Sequence, residues 1–284
     1  MRLFVFGLGY SASHFIAGHG ARFSAIAGTA RTPQPGAAVE TLAFGPDHVD
    51  PAIAAHLARA DVLLVSVPPD ADGDPVLRAF GPQIAASGIR RVVYLSTVGV
   101  YGDHGGGWID ETAELAGSGR RRHRIDAEAA WLAGGATSLR LAGIYGPGRN
   151  ALVNLRAGRA HRIVKPGQVF NRIHVDDIAA AIARAIDHAG TGAWNVCDDE
   201  PAPPQDVVTF AASLMGVTPP PEQDFATAQM SAMARSFYAS SNRISNARMK
   251  SELDVVPSFP TYREGLTSLA KSDAPTSSPD DAAS

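Results

Sequence analysis

The sequence predicts an α/β protein with a doubly wound parallel sheet and a small helix-rich C-terminal lobe. Three observations carry this prediction. Short apolar runs of strand length alternate with helical stretches over residues 1–145. The runs are apolar without interruption, which is typical of parallel strands that helices cover on both faces. After residue 145 the alternation stops and helical patterns dominate, so a second, smaller unit is expected there.

The first half of the chain divides into six predicted strands and four predicted helices. Parallel strands need crossover connections, and right-handed crossovers through helices give a doubly wound sheet. The strands are expected at 2–7, 23–28, 39–44, 61–67, 91–97 and 137–143. The helices are expected near 11–20, 49–59, 75–87 and 122–133.

The second half carries a different series of elements. The segment YGPGRNALVNLRAGRA predicts a loop followed by a helix. The segment HVDDIAAAIARAIDHA predicts an amphipathic helix whose first-turn acidic residues interact favourably with the helix dipole. AWNVCDD predicts a further strand, and PPQDVVTFAASLMG predicts a helix that ends at Gly216.

These patterns predict two units and a tail. The main domain is expected at 1–145, completed by about 173–197, and the smaller lobe at 146–172 and 198–271. The last segment, 272–284, is small, polar and acidic without an apolar period, so it is predicted to be disordered.

Composition excludes several classes of function. The net charge of −3 gives no global basic field for nucleic acid or membranes. No apolar run reaches the ~18 residues that a membrane span needs, and the start, MRLFVFGLGY, is too short for a signal peptide. One cysteine, Cys197, excludes an internal disulfide framework and indicates a reducing compartment, so a cytoplasmic location is expected.

The motif Gly7-x-Gly9-x-x-Ala12 directly follows the first predicted strand and precedes a helix. The first glycine permits a tight turn, the second lets the backbone approach a pyrophosphate, and Ala12 allows close helix–sheet packing. The N–H groups at the helix start, around Tyr10 and Ser11, then face the phosphates. The alternative is a tight turn that only begins a helix. Because it opens a series of strand–helix units, we interpret the motif as the dinucleotide-binding loop of a Rossmann domain.

The end of the second strand, GTARTP, lies where dinucleotide folds meet the adenosine ribose. An acidic residue there favours NAD, whereas an arginine pairs with the 2′-phosphate of NADP. No Asp or Glu occurs between Phe23 and Gln34, and Arg31 lies 22 residues after Gly9. NADP is therefore predicted as the preferred cofactor and NAD as the other choice. The alternative is an ordinary surface arginine.

Four further segments follow the glycine motif in order: YLSTVGVYGD, RLAGIYGPGR, IHVDDIA and WNVCDDEP. On these segments the chain resembles the extended short-chain dehydrogenases/reductases, the NAD-dependent epimerase/dehydratase superfamily, over about residues 1–271. FGLGYSASHF, GTARTP, SVPPDADGDPVL and MARSFYASSNRISNARMK resemble its atypical YeeZ-like subgroup. The resemblance implies a C-terminal substrate lobe with a small-molecule substrate in the cleft, and it is compatible with a homodimer.

The catalytic pair of that family is missing from this chain. In active members, a Ser or Thr three residues before the VYG triplet orients the substrate oxygen, and this position is Thr97. A Tyr and a Lys four residues apart on the next helix then transfer the proton. None of the six tyrosines is followed by Lys at that spacing. By their offset from AEAAW, the two positions hold Arg120 and Arg124.

Arginine cannot act as a general acid or base near neutral pH, because its pKa exceeds ~12. Arg124 could still donate to the cofactor ribose, and Arg120 could hold a phosphate or carboxylate in bidentate fashion. We therefore predict that both point into the cleft. A solvated helix face is the alternative. A nucleic-acid patch is disfavoured, because no aromatic residues interleave the arginines and the chain is acidic overall.

The resemblance assigns further residues to the cofactor cleft. Ser66 and Pro68 match the loop beside the ribose, and Ser96 ends the fifth strand on the cofactor side. Gly143 and Ile144 match the segment that lines the nicotinamide. Gly143 replaces a more usual Asn, so a side-chain contact is missing there.

Two residues are candidates for substrate contact. Tyr101 follows the fifth strand and could serve as a surrogate acid, with packing inside the VYG turn as the alternative. Arg149, in the GPGR segment, could meet an acidic group of the ligand, with bonds to loop carbonyls as the alternative.

The remaining polar residues favour structural roles. His174, Asp176 and Asp177 fit a helix cap and first turn better than a metal site, so no metal is predicted. Cys197 is expected to be a buried, small apolar residue. A serine hydrolase has no support, because GxSxG is absent.

The sequence thus predicts an NAD(P)-binding oxidoreductase or epimerase/dehydratase-type enzyme acting on a small molecule, and the two arginines suit an anionic one. Hydride transfer is the shared step, with Thr97 orienting the substrate and water or an unidentified group supplying the proton. The alternative is a non-catalytic NADP(H)-binding redox sensor or regulator, which the missing Tyr/Lys pair favours.

Overall fold

The parallel sheet predicted from the apolar runs is present and organises the chain. A computed structural model describes residues 1–33 and 36–272. The predicted disordered tail, 272–284, lies outside the described residues except for Ser272. Among the described residues, none of the helices combines the length and the apolar character needed to cross a bilayer.

The strands have the following bounds. In chain order they are β1 (Arg2–Phe6), β2 (Ala25–Ala30), β3 (Glu40–Ala43), β4 (Val62–Val65), β5 (Arg91–Thr97), β6 (Trp108–Ile109), β7 (Thr137–Leu141), β8 (Gly143–Tyr145), β9 (Arg162–Val164), β10 (Arg172–His174), β11 (Gly192–Val196), β12 (Glu222–Asp224) and β13 (Arg243–Ile244).

The α-helices have the following bounds. In chain order they are α1 (Tyr10–His19), α2 (Ala52–Leu57), α3 (Pro75–Ala85), α4 (Arg120–Ala133), α5 (Ala151–Arg156), α6 (Val175–Asp187), α7 (Pro204–Leu214), α8 (Ala232–Phe237), α9 (Ala247–Glu252) and α10 (Tyr262–Ser272).

Seven strands form the central sheet in the order β11-β7-β5-β4-β1-β2-β3. Each neighbouring pair is parallel. From β1 the chain adds β2 and then β3 on one side of the sheet. From β4 it adds β5, β7 and β11 in turn on the other side. The sheet therefore has its switch point between β1 and β4, and ligands of such sheets bind at the carboxyl ends of the strands there.

Helices cover both faces of the sheet, as the apolar strands require. All four residues of β4 are buried, and so are Leu3–Phe6 of β1. On one face α1 and α6 contribute Phe15 and Ile182 to a continuous core. On the other face α3 and α4 contribute Phe80 and Trp131.

The remaining strands form three short parallel pairs outside the sheet: β8 with β10, β9 with β12, and β6 with β13. Helices α5, α7 and α10 pack around a separate core that includes Leu152, Val207, Tyr262 and Leu266. We refer to these three helices and their core as the smaller lobe.

Several boundaries differ from the sequence-based expectation, among them those of β2, β7 and α4. Strand β2 begins at Ala25, because Gly20–Arg22 form a 3₁₀ turn, and it continues to Ala30. The strand expected at 137–143 is two strands, β7 and β8, separated at Ala142, whose N–H donates to the Val196 carbonyl. Helix α4 begins at Arg120, so the arginine cluster lies inside the helix.

Candidate functional site

The glycine-rich loop joins β1 to α1 at the switch point of the sheet. Gly7 has a φ of +92°, a conformation that favours glycine. Its N–H donates to Thr29 Oγ1 at 3.1 Å, and its carbonyl accepts from Ser66 Oγ at 3.1 Å. The two neighbouring strands, β2 and β4, therefore hold the loop from both sides.

The N-terminus of α1 is open for an anion. Gly9 is the N-cap residue and has no side chain to occupy the first-turn N–H groups, which lack acceptors inside a helix. A Cβ atom built on Gly9 would meet no protein atom within 4 Å. The loop thus leaves free space beside uncapped amides. This is the arrangement that a pyrophosphate needs, so the residues fit a dinucleotide.

The other residues of the motif have distinct positions. Ser11 and Ala12 are buried in the first turn of α1. Tyr10 lies at the surface of the loop, and its hydroxyl donates to the Pro147 carbonyl at 2.9 Å. The guanidinium of Arg149 lies 5.8 Å from the centre of the Tyr10 ring. Tyr10 thus connects the phosphate loop to the segment that enters the smaller lobe.

Arg31 follows the last residue of β2 and is exposed. Among the described residues it has no hydrogen-bond or ion-pair partner. Its side chain is free to meet a ligand at the carboxyl end of β2.

The ends of β4 and β5 contribute Ser66, Pro68 and Thr97. Ser66 is committed to the Gly7 carbonyl, and Pro68 is exposed beside it. Thr97 is half-buried, and its Oγ1 accepts from the Gly99 N–H at 3.1 Å. Because the hydroxyl acts as acceptor in that bond, its proton stays available for a substrate oxygen.

The two arginines that take the place of the Tyr/Lys pair behave differently. Arg120 is exposed at the first position of α4. Arg124, one turn later, is half-buried and lies close to Tyr94 on β5. Burial raises the pKa of Tyr94, and the nearby Arg124 charge opposes this. The Tyr94 hydroxyl is buried and has no hydrogen-bond partner among the described residues, although the charge of Arg124 acts on it.

A buried polar network lies between α4 and the sheet. Ser96 Oγ donates to the Glu128 carboxylate. Arg140 donates to Glu128 Oε1 from Nε at 2.8 Å and from Nη2 at 2.6 Å. Its Nη1 donates to the Tyr101 hydroxyl at 2.7 Å, and that hydroxyl donates to Asn195 Oδ1 at 2.6 Å. The Ser96 side chain therefore belongs to the core and not to the cleft.

The same network changes the expectation for Tyr101. Its side chain is fully buried, and both its donor and acceptor capacities are used. Burial raises the pKa of Tyr101 to about 12, although Arg140 opposes the shift. In this structure Tyr101 is a packing residue, and its predicted contact with substrate gains no support.

The predicted nicotinamide wall lies on β8. Gly143 is exposed, and its N–H donates to the Asn171 carbonyl at 3.0 Å. Ile144 is half-buried and lines a cavity that also contains Arg149. These two residues, unlike Tyr101, lie beside open space.

His174 begins α6, where its Nδ1 accepts from the Asp176 N–H at 3.2 Å. Asp177 accepts from the N–H groups of Ser258 and Phe259 and so fixes the segment before α10. Cys197 is buried, and burial raises the pKa of its thiol. Among the residues that the structure describes, no group of three His, Cys, Asp or Glu is placed to hold a metal.

Sequence reasoning missed several residues that shape this region. Thr29 supports the phosphate loop, and Glu128 with Arg140 anchors α4. Arg172 and Tyr262 line the cavity beside Ile144. Their local sequence gives no motif, since each acts through a residue far along the chain.

The chain is similar in sequence and fold to several known proteins. The profile of the NAD-dependent epimerase/dehydratase family matches residues 82–197. A solved structure of a functionally unknown conserved protein from Silicibacter pomeroyi DSS is 44% identical, with a TM-score of 0.87, and the match covers 95% of this chain and 98% of that one. The 3-diazoavenalumate denitrifying reductase of Streptomyces sp is 30% identical over 136 residues. That match spans 45% of this chain and 45% of the reductase, less than half of either.

Two more distant structures share the fold and contain cofactors. The human epimerase family protein SDR39U1, solved with NADPH, is 18% identical with a TM-score of 0.74, over 95% of this chain and 99% of that one. MoeE5, solved with UDP-glucose and NAD, is 18% identical with a TM-score of 0.75, over 95% and 98% of the two chains. At this identity the likeness concerns the fold alone.

Proposed function

We propose that the chain is a member of the NAD-dependent epimerase/dehydratase family, whose profile matches residues 82–197, and that it is an oxidoreductase that prefers NADP(H) to NAD(H). The proposed reaction transfers hydride between the dinucleotide and a small molecule. The uncapped N-terminus of α1 beside Gly9 is the observation that carries the proposal. That the Streptomyces relative is a reductase favours hydride transfer as the reaction.

The residues of the cleft have separate tasks in this proposal. When bound, the nicotinamide supplies hydride donor or acceptor chemistry. The N–H groups at the start of α1 bind the pyrophosphate, and Arg31 pairs with the 2′-phosphate. Thr97 donates its free proton to a substrate oxygen. Arg124 supplies a fixed positive charge, and water supplies the reaction proton because a guanidinium cannot.

Substitution of Gly9 tests the phosphate site. In Gly9→Val the added side chain occupies the space in which the pyrophosphate approaches the backbone. The Cβ atom of the new side chain meets no protein atom within 4 Å. We expect the variant to fold normally and to bind NADPH at least tenfold more weakly by calorimetry. Gly18→Val is the matched control, because its Cβ also meets nothing within 4 Å but lies near the other end of α1.

Unchanged NADPH affinity in a folded Gly9→Val protein contradicts the proposal. Equal weakening by Gly18→Val also contradicts it, because that result attributes the loss to the helix and not to the loop.

Arg31 tests the choice of cofactor. An arginine–phosphate hydrogen bond contributes roughly 1.5–3 kcal/mol, which corresponds to about a tenfold preference or more. We expect the protein to bind NADP more tightly than NAD, and Arg31→Ala to remove most of that difference. Titrations of both dinucleotides with both proteins measure it. Equal affinities of the unaltered protein for NAD and NADP show that Arg31 does not reach the ribose.

One observation favours a second candidate function. In active members of the family that this chain resembles, a Tyr and a Lys on one helix transfer the proton. The matching positions of this chain hold Arg120 and Arg124. A non-catalytic NADP(H)-binding sensor or regulator explains this directly. NADPH oxidation in the presence of carbonyl compounds distinguishes the two functions, since a sensor binds the dinucleotide without consuming it.

A further inference from the structure

A cavity of about 330 Å³ lies in the smaller lobe, between β8, α5, α7 and α10. We call it the lobe pocket. Its apolar walls come from residues such as Val207, Val208 and Leu266, and its polar lining includes Arg149, Arg172 and Tyr262. The volume is at the lower end of the roughly 300–1,000 Å³ typical of small-molecule sites. Ile144, from the predicted nicotinamide wall, is part of the lining.

The charged residues that line the lobe pocket are all positive. Arg149 and Arg172 line it, and no Asp or Glu does. Arg172 Nη1 donates to the carbonyls of Phe170 and Ala202, at 2.9 and 3.2 Å. Its Nε and Nη2 have no acceptor among the described residues, and neither arginine has an ion-pair partner there. A half-buried cation is normally paired, so the unpaired Arg172 calls for an anion. The exposed Arg149 adds positive charge to the same cavity.

The nearest internal carboxyl does not supply that anion. Asp198 is buried, and its Oδ2 has no hydrogen-bond partner. Burial raises the pKa of Asp198 to about 8, with the charge of Arg172 opposing the shift. Burial thus favours the protonated form of Asp198, which does not cancel the charge of Arg172. Burial also lowers the pKa of Arg172, and a bound anion favours its charged form.

Tyr262 provides a second unused donor. Its side chain is 1% exposed, and its hydroxyl has no partner. The guanidinium of Arg172 lies 5.7 Å from the centre of the Tyr262 ring. A buried hydroxyl without a partner is costly, and a ligand oxygen next to Arg172 offers it an acceptor.

We propose that the lobe pocket binds the anionic group, a carboxylate or a phosphate, of a small molecule with an apolar body. Arg172 and Tyr262 hold the oxyanion, Arg149 adds charge at the side of Tyr10, and the apolar walls enclose the rest. Only the identification of this ligand as the substrate rests on the proposed function. Binding of the anion does not depend on it.

The test uses the full chain, both free and saturated with NADPH. Calorimetry compares 3-phenylpropanoate and phenyl phosphate with the neutral 3-phenylpropanamide. We expect at least one anion to bind tenfold or more tightly than the amide, and the tighter of the two shows which anion the pocket prefers. Failure of both anions to bind, or equal binding of anion and amide, overturns the proposal.

Variants locate the binding. Arg172→Gln should weaken the anion at least tenfold, and Arg149→Gln should weaken it several-fold. Arg235→Gln is the matched control, because Arg235 also donates to two backbone carbonyls, those of Phe225 and Ala228, but lies outside the pocket. Equal weakening by all three variants overturns the proposal.

Two further readouts keep the outcomes separate. If Arg172→Gln fails to fold, the exposed Arg149→Gln decides, and unchanged anion affinity in it overturns the proposal. NADPH affinity should be unchanged in Arg172→Gln, because none of the described contacts of Arg172 is with the glycine-rich loop. If the anion binds and NADPH does not, the proposed function is wrong and the proposed anion site is supported. If NADPH binds and the anion does not, the proposed anion site is wrong and the proposed function is unaffected.

Discussion

Asp198 shows how burial of one residue controls stability. With its pKa raised to about 8 by burial, the carboxyl keeps its proton in the folded protein up to that pH. The unfolded chain releases the same proton near pH ~4. The folded state therefore binds more protons between these values, and the free energy of unfolding falls as pH rises.

We expect Asp198→Asn to remove this fall. For one such group the slope is at most ~1.4 kcal/mol per pH unit. Urea unfolding at pH 5, 6.5 and 8 gives the free energy of unfolding of both proteins. The difference between them isolates the contribution of Asp198, because the contributions of the other titrating groups cancel. The variant should gain stability relative to the unaltered protein as pH rises. Asp206→Asn, an exposed change in α7, should follow the unaltered protein, and parallel curves for Asp198→Asn refute the assignment.

At the scale of single residues, the sequence predicted roles that depend on neighbouring positions, but it did not predict contacts between distant positions. The phosphate loop was predictable because the spacing of Gly7 and Gly9 sets a local backbone turn. The VYG triplet alone could not show whether the Tyr101 side chain contacts the substrate or packs in the core. Its hydroxyl is committed to Arg140 and Asn195, which are 39 and 94 positions away in the chain. Arg172 likewise lines a cavity with Tyr262 that no short motif encodes.

At the scale of elements, the ion pair between Glu128 and Arg140 joins α4 to β7. Both side chains are almost fully buried, and their closest atoms are 2.6 Å apart. Burial lowers the pKa of Arg140, but its bonds to Glu128 outweigh this and give a net rise. The pair therefore fixes the height of α4 over the sheet, and with it the position of Arg124.

Breaking this pair should be costly. We expect Glu128→Gln to lower the free energy of unfolding by about 3–5 kcal/mol, because it leaves the Arg140 charge buried without compensation. Arg122→Gln is the control within the same helix. It removes an exposed i,i+4 pair with Asp126, worth about 0.5 kcal/mol or less. Urea unfolding measures both, and similar losses in the two variants contradict the buried-pair argument.

Element boundaries were predicted only where the pattern is continuous. The apolar run of β4 and the Pro75 start of α3 were clear from the sequence. The split between β7 and β8 was not, because the run TSLRLAG has no breaker at Ala142. The break comes from pairing: β7 continues beside β11, whereas β8 pairs with β10.

At the scale of the whole molecule, the doubly wound sheet expected from the alternating runs is confirmed. The alternation of strands and helices in the sequence gives the number of crossovers. Short right-handed crossovers then lead to a doubly wound sheet. A helix-rich smaller unit was predicted, but the three short parallel strand pairs outside the sheet were not. Strands of two or three residues carry too few side chains for a period to be visible.

The position of β11 has a consequence for synthesis on the ribosome. Among the described strands, β11 is the partner of the outer edge of β7, and about 50 residues separate the two strands. At ordinary rates of translation this segment takes roughly 3 to 10 s to emerge. During that interval the backbone groups of Thr137–Leu141 have no partner on that side. The growing chain thus presents an open strand edge, to which a chaperone or a neighbouring nascent chain can pair before β11 arrives.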